Sequence, residues 1–271
     1  MTTTTTTTTT SGAAGYRPKV PGAQLVRTPL YEETLEMALE MCDEDGILLV
    51  TGDPGLGKSS TTEAIMCELS ALTGRPGLRI QLGRNPRSLE VLTQILAAFG
   101  IRARSHEPAG VLAIQLGDIL AEEPRTLWVD EAHHLRTDAF TTIRTIHDRP
   151  DCRWMLGLVG TQALFGRLSA DQPELLDRVG RRVKFHVLDD EDALLSTLTA
   201  FHPLLASCDP GRLLRMNMHG PKGRFRQWEK LLGALVRYAK VEGSLSERVE
   251  AVALKRCGFA VPSELTRWLD S

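Results

Sequence analysis

The sequence lacks a marked excess of charge of either sign. Its 271 residues carry 32 Lys and Arg against 34 Asp and Glu, which gives a formal net charge of −2. This balance excludes a histone-like or polybasic binder whose whole surface is cationic, but not a local basic patch, because phosphate affinity depends on where the charges lie. With 42% hydrophobic and 24% charged residues, the composition is that of a soluble globular protein. The length allows one large domain or a core domain with a small appendage.

Cysteines are few, and long apolar runs are missing. The five cysteines are scattered without a CxxC pair, and their odd number leaves one outside any disulfide scheme. No stretch approaches the ~20 apolar residues of a membrane span, and the N-terminus has no signal-peptide pattern. We therefore expect a cytoplasmic protein with no membrane partner.

The N-terminal segment is of low complexity. Met1 is followed by nine threonines, and no apolar face accompanies them. Such a segment cannot bury enough apolar surface to offset the entropy of ordering it. Residues 1–24 are therefore predicted to be a disordered tail and linker.

Strand-like and helix-like patterns alternate over residues 25–188. Apolar runs typical of buried parallel strands lie at Ile47–Val50, Leu78–Leu82, Thr126–Val129, Trp154–Val159 and Val183–Val187. Helical patterns separate them, first from Pro29 towards Gly46 and then at Ser59–Thr73, Leu89–Phe99 and Val111–Ala121. The pattern predicts an α/β domain with a mostly parallel five-stranded sheet flanked by helices. Residues 189–271 lack strand-like runs and are predicted to form a small helical domain.

A phosphate-binding motif follows the first predicted strand and precedes a helix. It matches GxxxxGK[ST] in full, with Gly52, Asp53, Pro54, Gly55, Leu56, Gly57, Lys58 and Ser59. The glycines let the backbone wrap around an anion, so that amide N–H groups and the helix N-terminus point at phosphates. Lys58 is expected to reach the β- and γ-phosphates of ATP, and the Ser59 hydroxyl to bind Mg²⁺. Ser60 is counted with the nucleotide-binding residues.

Two carboxylates, Asp130 and Glu131, follow the third predicted strand, as in a Walker B motif. In open α/β sheets ligands bind at the carboxyl ends of strands. We expect Asp130 to hold Mg²⁺ through water and Glu131 to activate the attacking water as general base. The letters of residues 130–133 also spell the DEAH signature of a helicase class, but residues after 188 cannot supply the second RecA-like domain it needs. His133 and His134 have no matching ligand at i+3 or i+4, so they are interpreted as exposed loop histidines.

With these motifs the chain resembles the AAA+ ATPases, and within them the transposition regulators Mu B, TniB and TnsC, with the related ExeA-like ATPases. The resemblance covers roughly residues 25–240. Besides the Walker motifs it rests on the segments Leu156–Thr161 and Leu175–Phe185. It implies a P-loop AAA+ core with a C-terminal helical lid.

The resemblance also implies roles for single residues. Thr161 matches the sensor 1 position, where it helps orient the water. Arg178 is the first choice for an arginine finger that reaches the ATP site of the next subunit, with Arg181 and Arg182 as the other candidates. Two further nucleotide contacts are implied, Arg226 at sensor 2 and Thr28 beside the adenine.

Duplex DNA is the predicted partner. Two basic loops lie where the transposition regulators contact duplex DNA, with Arg84, Arg87, Arg102 and Arg104 as the candidate contacts. Guanidinium groups bind phosphate oxygens without reading sequence. Residues 210–240 are basic as well, with a net charge of +7. The resemblance adds self-assembly into a ring or helical filament and recruitment of a transposase, and possibly of a targeting protein.

Two other AAA+ functions remain open. One is an ExeA-like secretion or signalling ATPase that acts on protein or peptidoglycan. The other is a clamp loader or helicase loader. Electron microscopy with duplex DNA and a slowly hydrolysed ATP analogue would separate a regulator, which coats or encircles DNA, from a secretion ATPase.

Overall fold

The structure, a computed structural model, describes residues 18–103, 107–151 and 153–269, with the backbone of Thr8–Thr9. It divides into two compact units. Pro29–Asp53 and Lys58–Phe185 form the body of the first unit. Arg17–Thr28, Pro54–Gly57 and His186–Ser271 belong to the second.

The first unit is built on one sheet. In the described chain its strands are β1 (Thr8–Thr9), β2 (Ile47–Gly52), β3 (Gly77–Gln81), β4 (Arg125–Asp130), β5 (Trp154–Gly160) and β6 (Val179–Phe185), in the spatial order β1-β3-β4-β5-β2-β6. The five strands from β2 to β6 are parallel, and only the two-residue β1 is antiparallel. This confirms the predicted α/β fold with a mostly parallel five-stranded sheet.

The last strand begins earlier than the sequence indicates. β6 starts at Val179 rather than Val183, and its first half pairs with β2 although Arg181 and Arg182 are exposed. An outermost strand has one neighbour and can carry charged side chains, which also discourage pairing with other chains. The two adjacent arginines therefore hide the start of the strand from a search for apolar runs.

Helices cover both faces of the sheet because the central strands are apolar on both sides. They are α1 (Pro29–Asp43), α2 (Lys58–Thr73), α3 (Ser88–Ala98), α4 (Ala109–Glu122), α5 (Thr137–His147), α6 (Gln162–Asp171) and α7 (Pro173–Asp177), with a 3₁₀ turn at Ala132–His134. Every residue of β2 and β5 is buried. Gly157 on β5 packs against Trp128, so closely that an added Cβ would lie 2.3 Å from the ring. The dense packing of these strands fixes the carboxyl edge of the sheet.

The second unit is helical. It contains α8 (Glu191–Phe201), α9 (Pro203–Ala206), α10 (Pro210–His219), α11 (Phe225–Glu242), α12 (Glu247–Arg256) and a 3₁₀ segment at Ser263–Trp268. Its core is lined by one face of α11, whose buried residues recur at helical spacing from Trp228 to Ala239. Among the described residues no helix is both long enough and apolar enough to cross a membrane.

Part of the predicted disordered tail and linker is packed into this second unit. Val20 is buried in its apolar core. The Gln24 N–H donates to the Phe201 carbonyl at 2.8 Å, and the His202 ring lies 3.1 Å from the Pro21 carbonyl oxygen. Residues 18–24 thus differ from the expectation because one apolar side chain and a few backbone hydrogen bonds anchor them. Of the threonine run the structure describes only Thr8–Thr9, a β-branched pair in the edge strand β1.

Part of the basic charge of residues 210–240 is structural. Glu250 is fully buried and accepts hydrogen bonds from Arg212 and Arg215 at 3.0 to 3.1 Å. Lys230 donates to the Cys257 carbonyl at 2.7 Å. These three cations hold the helical unit together, which reduces the charge left for a ligand.

The pKa of His147 predicts an acid-sensitive fold. Its ring packs near Trp154, with centroids 5.5 Å apart. Burial lowers its pKa below 6.5, although the nearby Asp148 carboxylate acts in the opposite direction. The unfolded chain binds a proton on this ring near pH 6.5 while the folded chain does not, so the free energy of unfolding falls as pH drops below that value. We expect His147→Phe to flatten this slope in urea titrations between pH 7 and 5, and an unchanged slope would contradict the assignment.

Candidate nucleotide-binding site

The three predicted nucleotide segments meet at one edge of the sheet. β5 lies between β2 and β4, with Thr51 opposite Gly160 and Val129 opposite Leu158. Parallel strands end at the same edge, so the residues that follow β2, β4 and β5 emerge side by side. The structure therefore brings Lys58, Asp130, Glu131 and Thr161 to one carboxyl edge within the first unit.

The phosphate-binding motif begins in the last residue of β2. Gly52 passes so close to β6 that an added Cβ would lie 2.6 Å from the Phe185 carbonyl oxygen, so only glycine fits there. Lys58 is the first residue of α2, and its Nζ donates to the carbonyls of Gly52 and Asp53 at 2.7 and 2.8 Å. The ammonium group and the helix N-terminus thus lie together, the arrangement that suits an anion. Ser59 is half-buried in the first turn of α2, and Ser60 beside it is exposed.

The tip of the motif, Pro54–Gly57, belongs to the second unit, where the start of α11 contacts it. The Arg226 N–H donates to the Gly55 carbonyl at 3.0 Å, and the Arg224 guanidinium donates to the Pro54 carbonyl at 3.2 Å. Arg226 is exposed and contacts the loop through its main chain. Thr28, also in the second unit, is half-buried.

Asp130 is buried, and both of its oxygens are engaged. Its Oδ1 accepts the Glu131 N–H at 2.8 Å, and its Oδ2 forms an ion pair with Arg79 at 2.5 Å. Arg79 also reaches Glu63 at 3.1 Å. Arg79 was not predicted as a site residue, although a single cation inside the apolar run Leu78–Leu82 could have indicated a buried partner.

The oxygens of this edge fit Mg²⁺. Magnesium prefers oxygen ligands and keeps several waters, and the site offers the Ser59 hydroxyl and the Asp130 carboxylate. Each carboxylate oxygen has a second lone pair, so Asp130 can still accept a hydrogen bond from a metal-bound water. The site is therefore suited to the predicted contact through water.

Glu131 has an unusual backbone conformation. Its φ is 56°, in the left-handed region that non-glycine residues rarely adopt, and it precedes the 3₁₀ turn at Ala132–His134. Such strain collects at functional sites, where the surrounding structure holds it in place. The turn aims a side chain that is 40% exposed, so Glu131 can meet solvent water.

His133 and His134 are half-buried, which corrects their interpretation as exposed loop histidines. Their environment could not be predicted from neighbouring residues because it depends on β5, the next strand of the sheet. The His133 Nε2 lies 3.4 Å from the Glu131 Oε2. Burial first, and the neighbouring His134 second, lower the pKa of His133, while Glu131 acts to raise it.

Thr161 lies at the end of β5, where it is the N-cap residue of α6. Its backbone N–H donates to the Nδ1 of His133 at 3.4 Å. The residue predicted as sensor 1 is therefore linked through His133 to the residue predicted as general base.

The three candidate arginine fingers lie in β6 or directly before it. Arg178 precedes β6 at the edge of the sheet opposite the phosphate-binding motif, and it forms an ion pair with Asp148. Arg181 pairs with Glu40 at 2.6 Å, and the Arg182 guanidinium lies 5.0 Å from the centre of the Phe165 ring. All three are exposed.

Three of the four candidate DNA contacts lie in described loops. Arg84 and Arg87 are exposed between β3 and α3, and Arg102 is exposed between α3 and α4. Asn85, at the turn of the first loop, has a positive φ of 54°. The fourth candidate, Arg104, lies outside the described residues.

A known protein family matches part of the chain. Residues 41–168 match the family AAA_22, described as an AAA domain. The chain carries an AAA domain. This family match does not distinguish the transposition-regulator group. No curated protein matches the sequence.

Several solved structures share the fold of the AAA domain and of the helices after it. Cdc6p from Pyrobaculum aerophilum is 18% identical with a TM-score of 0.72, over 91% of this chain and 72% of that one. The ORC2 protein of Aeropyrum pernix, solved with ADPNP and ADP, is 17% identical with a TM-score of 0.70, over 96% and 73%. The ORC1 protein of the same organism, solved with DNA, is 17% identical with a TM-score of 0.65, over 87% and 66%. At these identities the likeness concerns the fold.

Proposed function

We propose that the chain binds and hydrolyses ATP. The observation that carries this proposal is the convergence of Lys58, Asp130, Glu131 and Thr161 at one edge of the sheet. In this assignment Lys58 neutralises the β- and γ-phosphates, and Ser59 and Asp130 hold Mg²⁺, which supplies charge neutralisation on the phosphates. Glu131 takes a proton from the attacking water as general base. The similar ORC2 structure with ADPNP and ADP supports a nucleotide as the ligand of this fold.

We further propose that the ATP-bound form assembles on duplex DNA without sequence preference. Exposed arginines at Arg84, Arg87 and Arg102 can contact phosphates along the backbone. The ORC1 structure with DNA supports this function for a related fold. Three contacts in one subunit give weak binding, so affinity has to come from many subunits along one duplex.

The finer proposal is regulation of transposition, in which the assembled protein selects target DNA and recruits a transposase. It rests on the resemblance of Leu156–Thr161 and Leu175–Phe185 to the transposition regulators. The comparisons do not favour the ExeA-like or loader alternatives.

A shared active site predicts complementation between inactive variants. Arg178 lies at the edge of the sheet opposite its own phosphate-binding motif, so as a finger it serves a neighbouring subunit. Lys58→Ala and Arg178→Ala should each be inactive alone, whereas their mixture should regain turnover at interfaces that combine an intact motif with an intact finger. Phosphate release by the single variants and by the mixture measures this, and wild-type specific activity should rise with protein concentration.

Asp148→Ala is the matched control for Arg178→Ala, because it removes the other half of the same ion pair. It should keep wild-type turnover. Equal losses in both variants would mean that Arg178 serves only the fold of its own subunit. If Arg181→Ala restores turnover when mixed with Lys58→Ala and Arg178→Ala does not, the arginine finger is Arg181.

A further inference from the structure

His133 spans two groups of the proposed catalytic site inside the first unit. Its Nε2 lies 3.4 Å from the Glu131 Oε2, and its Nδ1 accepts the Thr161 N–H at 3.4 Å. One imidazole ring therefore connects the end of β4 with the end of β5. The proposed mechanism gives this ring no role.

The contact with Thr161 decides which nitrogen of the ring carries the proton. A backbone N–H can only donate, so Nδ1 must present its lone pair, and the proton of the neutral ring is on Nε2. Nε2, which then carries the proton, lies 3.4 Å from the Glu131 Oε2. Because burial lowers the pKa of His133, the ring is neutral at pH 7 and this tautomer persists.

The surroundings hold the ring in place. Its side chain is 14% exposed. Arg167 donates to the His133 carbonyl, which fixes the backbone from α6. Gly160 lies against the ring, since an added Cβ there would be 3.3 Å from Nδ1.

Glu131 needs such a contact because its own side chain is not fixed by burial. A general base must stay within hydrogen-bond reach of the water it activates. We propose that His133 is a positioning residue for ATP hydrolysis, which holds the Glu131 carboxylate through Nε2–H at a fixed place relative to Thr161. This inference rests on the proposed role of Glu131 as general base.

The same residues can be considered as a metal site, and the hydrogen bonding argues against it. Glu131, His133 and His134 place three possible ligand atoms within 4.8 Å of one another. A histidine that binds a metal through Nε2 carries its proton on Nδ1 and donates it to an acceptor. Here Nδ1 accepts the Thr161 N–H. Metal binding through Nε2 would therefore place an Nδ1–H donor against the Thr161 N–H, which is also a donor.

Two amide substitutions at His133 distinguish the contribution of Nε2 from that of Nδ1. In His133→Gln the side-chain amide extends to the former position of Nε2, whereas in His133→Asn it reaches only that of Nδ1. His133→Asn should therefore lower kcat by about 10-fold or more, because a displaced base is a poor catalyst, while KM for Mg-ATP and the melting temperature stay unchanged. His133→Gln should keep at least about half of the wild-type kcat, since its amide can still donate to the carboxylate.

A double substitution tests whether the effect passes through Glu131. In a Glu131→Gln background, His133→Asn should cause no further loss of kcat, because the group it positions is already gone. If Glu131→Gln is slow but His133→Asn turns over like wild type, the inference is overturned and the proposed function stands. If Glu131→Gln itself turns over like wild type, the proposed function fails, and the inference fails as well because it rests on that function. Equal losses in His133→Asn and His133→Gln would also overturn the positioning role.

Zinc ion is the probe for the metal alternative. Micromolar ZnCl₂ should inhibit wild type and His134→Asn equally, or not at all, if His134 binds no metal. Inhibition that His134→Asn relieves would instead identify a metal site at these residues and overturn the inference.

Discussion

Lys58→Ala should lose ATP binding, whereas Glu131→Gln should keep ATP binding and lose turnover. Lys58 provides the ammonium group at the start of α2, and charged hydrogen bonds of this kind contribute about 1.5–3 kcal/mol each. The dissociation constant should therefore rise by roughly 10- to 100-fold. In the proposed mechanism Glu131 acts only on the attacking water, so its loss should slow turnover by about 100-fold or more at unchanged affinity.

A fluorescent-nucleotide titration and a phosphate-release assay on both variants measure this contrast. Lys255→Ala is a control for the loss of one positive charge, because Lys255 is exposed on α12 of the second unit. It should leave both quantities unchanged. An equal loss of ATP binding in Lys58→Ala and Glu131→Gln would remove Glu131 from its proposed role.

Arg79→Met should destabilise the protein by about 3 kcal/mol or more, because it leaves the Asp130 carboxylate buried without its cation. Asp130 has a side chain that is 5% exposed, and its ion pair with Arg79 measures 2.5 Å. Removal of one partner of a buried pair costs more than the pair itself contributes. The free energy of unfolding from urea titration measures the loss, and Arg79→Lys should recover part of it.

The chain offers a closely matched control for this variant. Arg75 pairs with Asp45 at the same distance of 2.5 Å, and the two arginines are 15% and 16% exposed. Asp45, however, is 29% exposed and can be solvated. Arg75→Met should therefore cost about 1 kcal/mol or less, and equal losses in the two variants would show that burial of Asp130 is not the cause.

The sequence predicts the fold well because the fold depends on local patterns. Apolar runs indicate β2 to β5 to within two residues at each end. The start of β6 could not be predicted in the same way, since its first half pairs with β2 while it exposes arginines. Residues 18–24 were missed because their anchors lie in α8 and in the short turn after it, far along the chain.

The candidate site likewise combines a local signal with contacts between residues that are distant in sequence. The phosphate-binding motif is a local signal, so Gly52 to Ser59 could be identified from spacing alone. The partners of Asp130 and His133 are tertiary, since Arg79 comes from β3 and the Thr161 N–H from the end of β5. No spacing rule relates residues that meet only when parallel strands end at one edge. The contact of Arg79 with Asp130 and that of the Thr161 N–H with His133 therefore required the structure.

The proposed function depends on ATP-dependent binding to DNA phosphates. Fluorescence anisotropy with a labelled duplex measures this binding across a salt series, with and without a slowly hydrolysed ATP analogue. Binding should need the analogue, be nearly equal on unrelated sequences and weaken with salt. Replacement of Arg102 and Arg104 together by Ala should flatten the slope of log K against log salt by about 0.9 for each phosphate that the variant no longer neutralises. Arg248→Ala with Arg256→Ala removes the same charge from exposed positions of the second unit and should keep the wild-type slope. Tight binding without nucleotide, or equal slopes for the two double variants, would contradict the account.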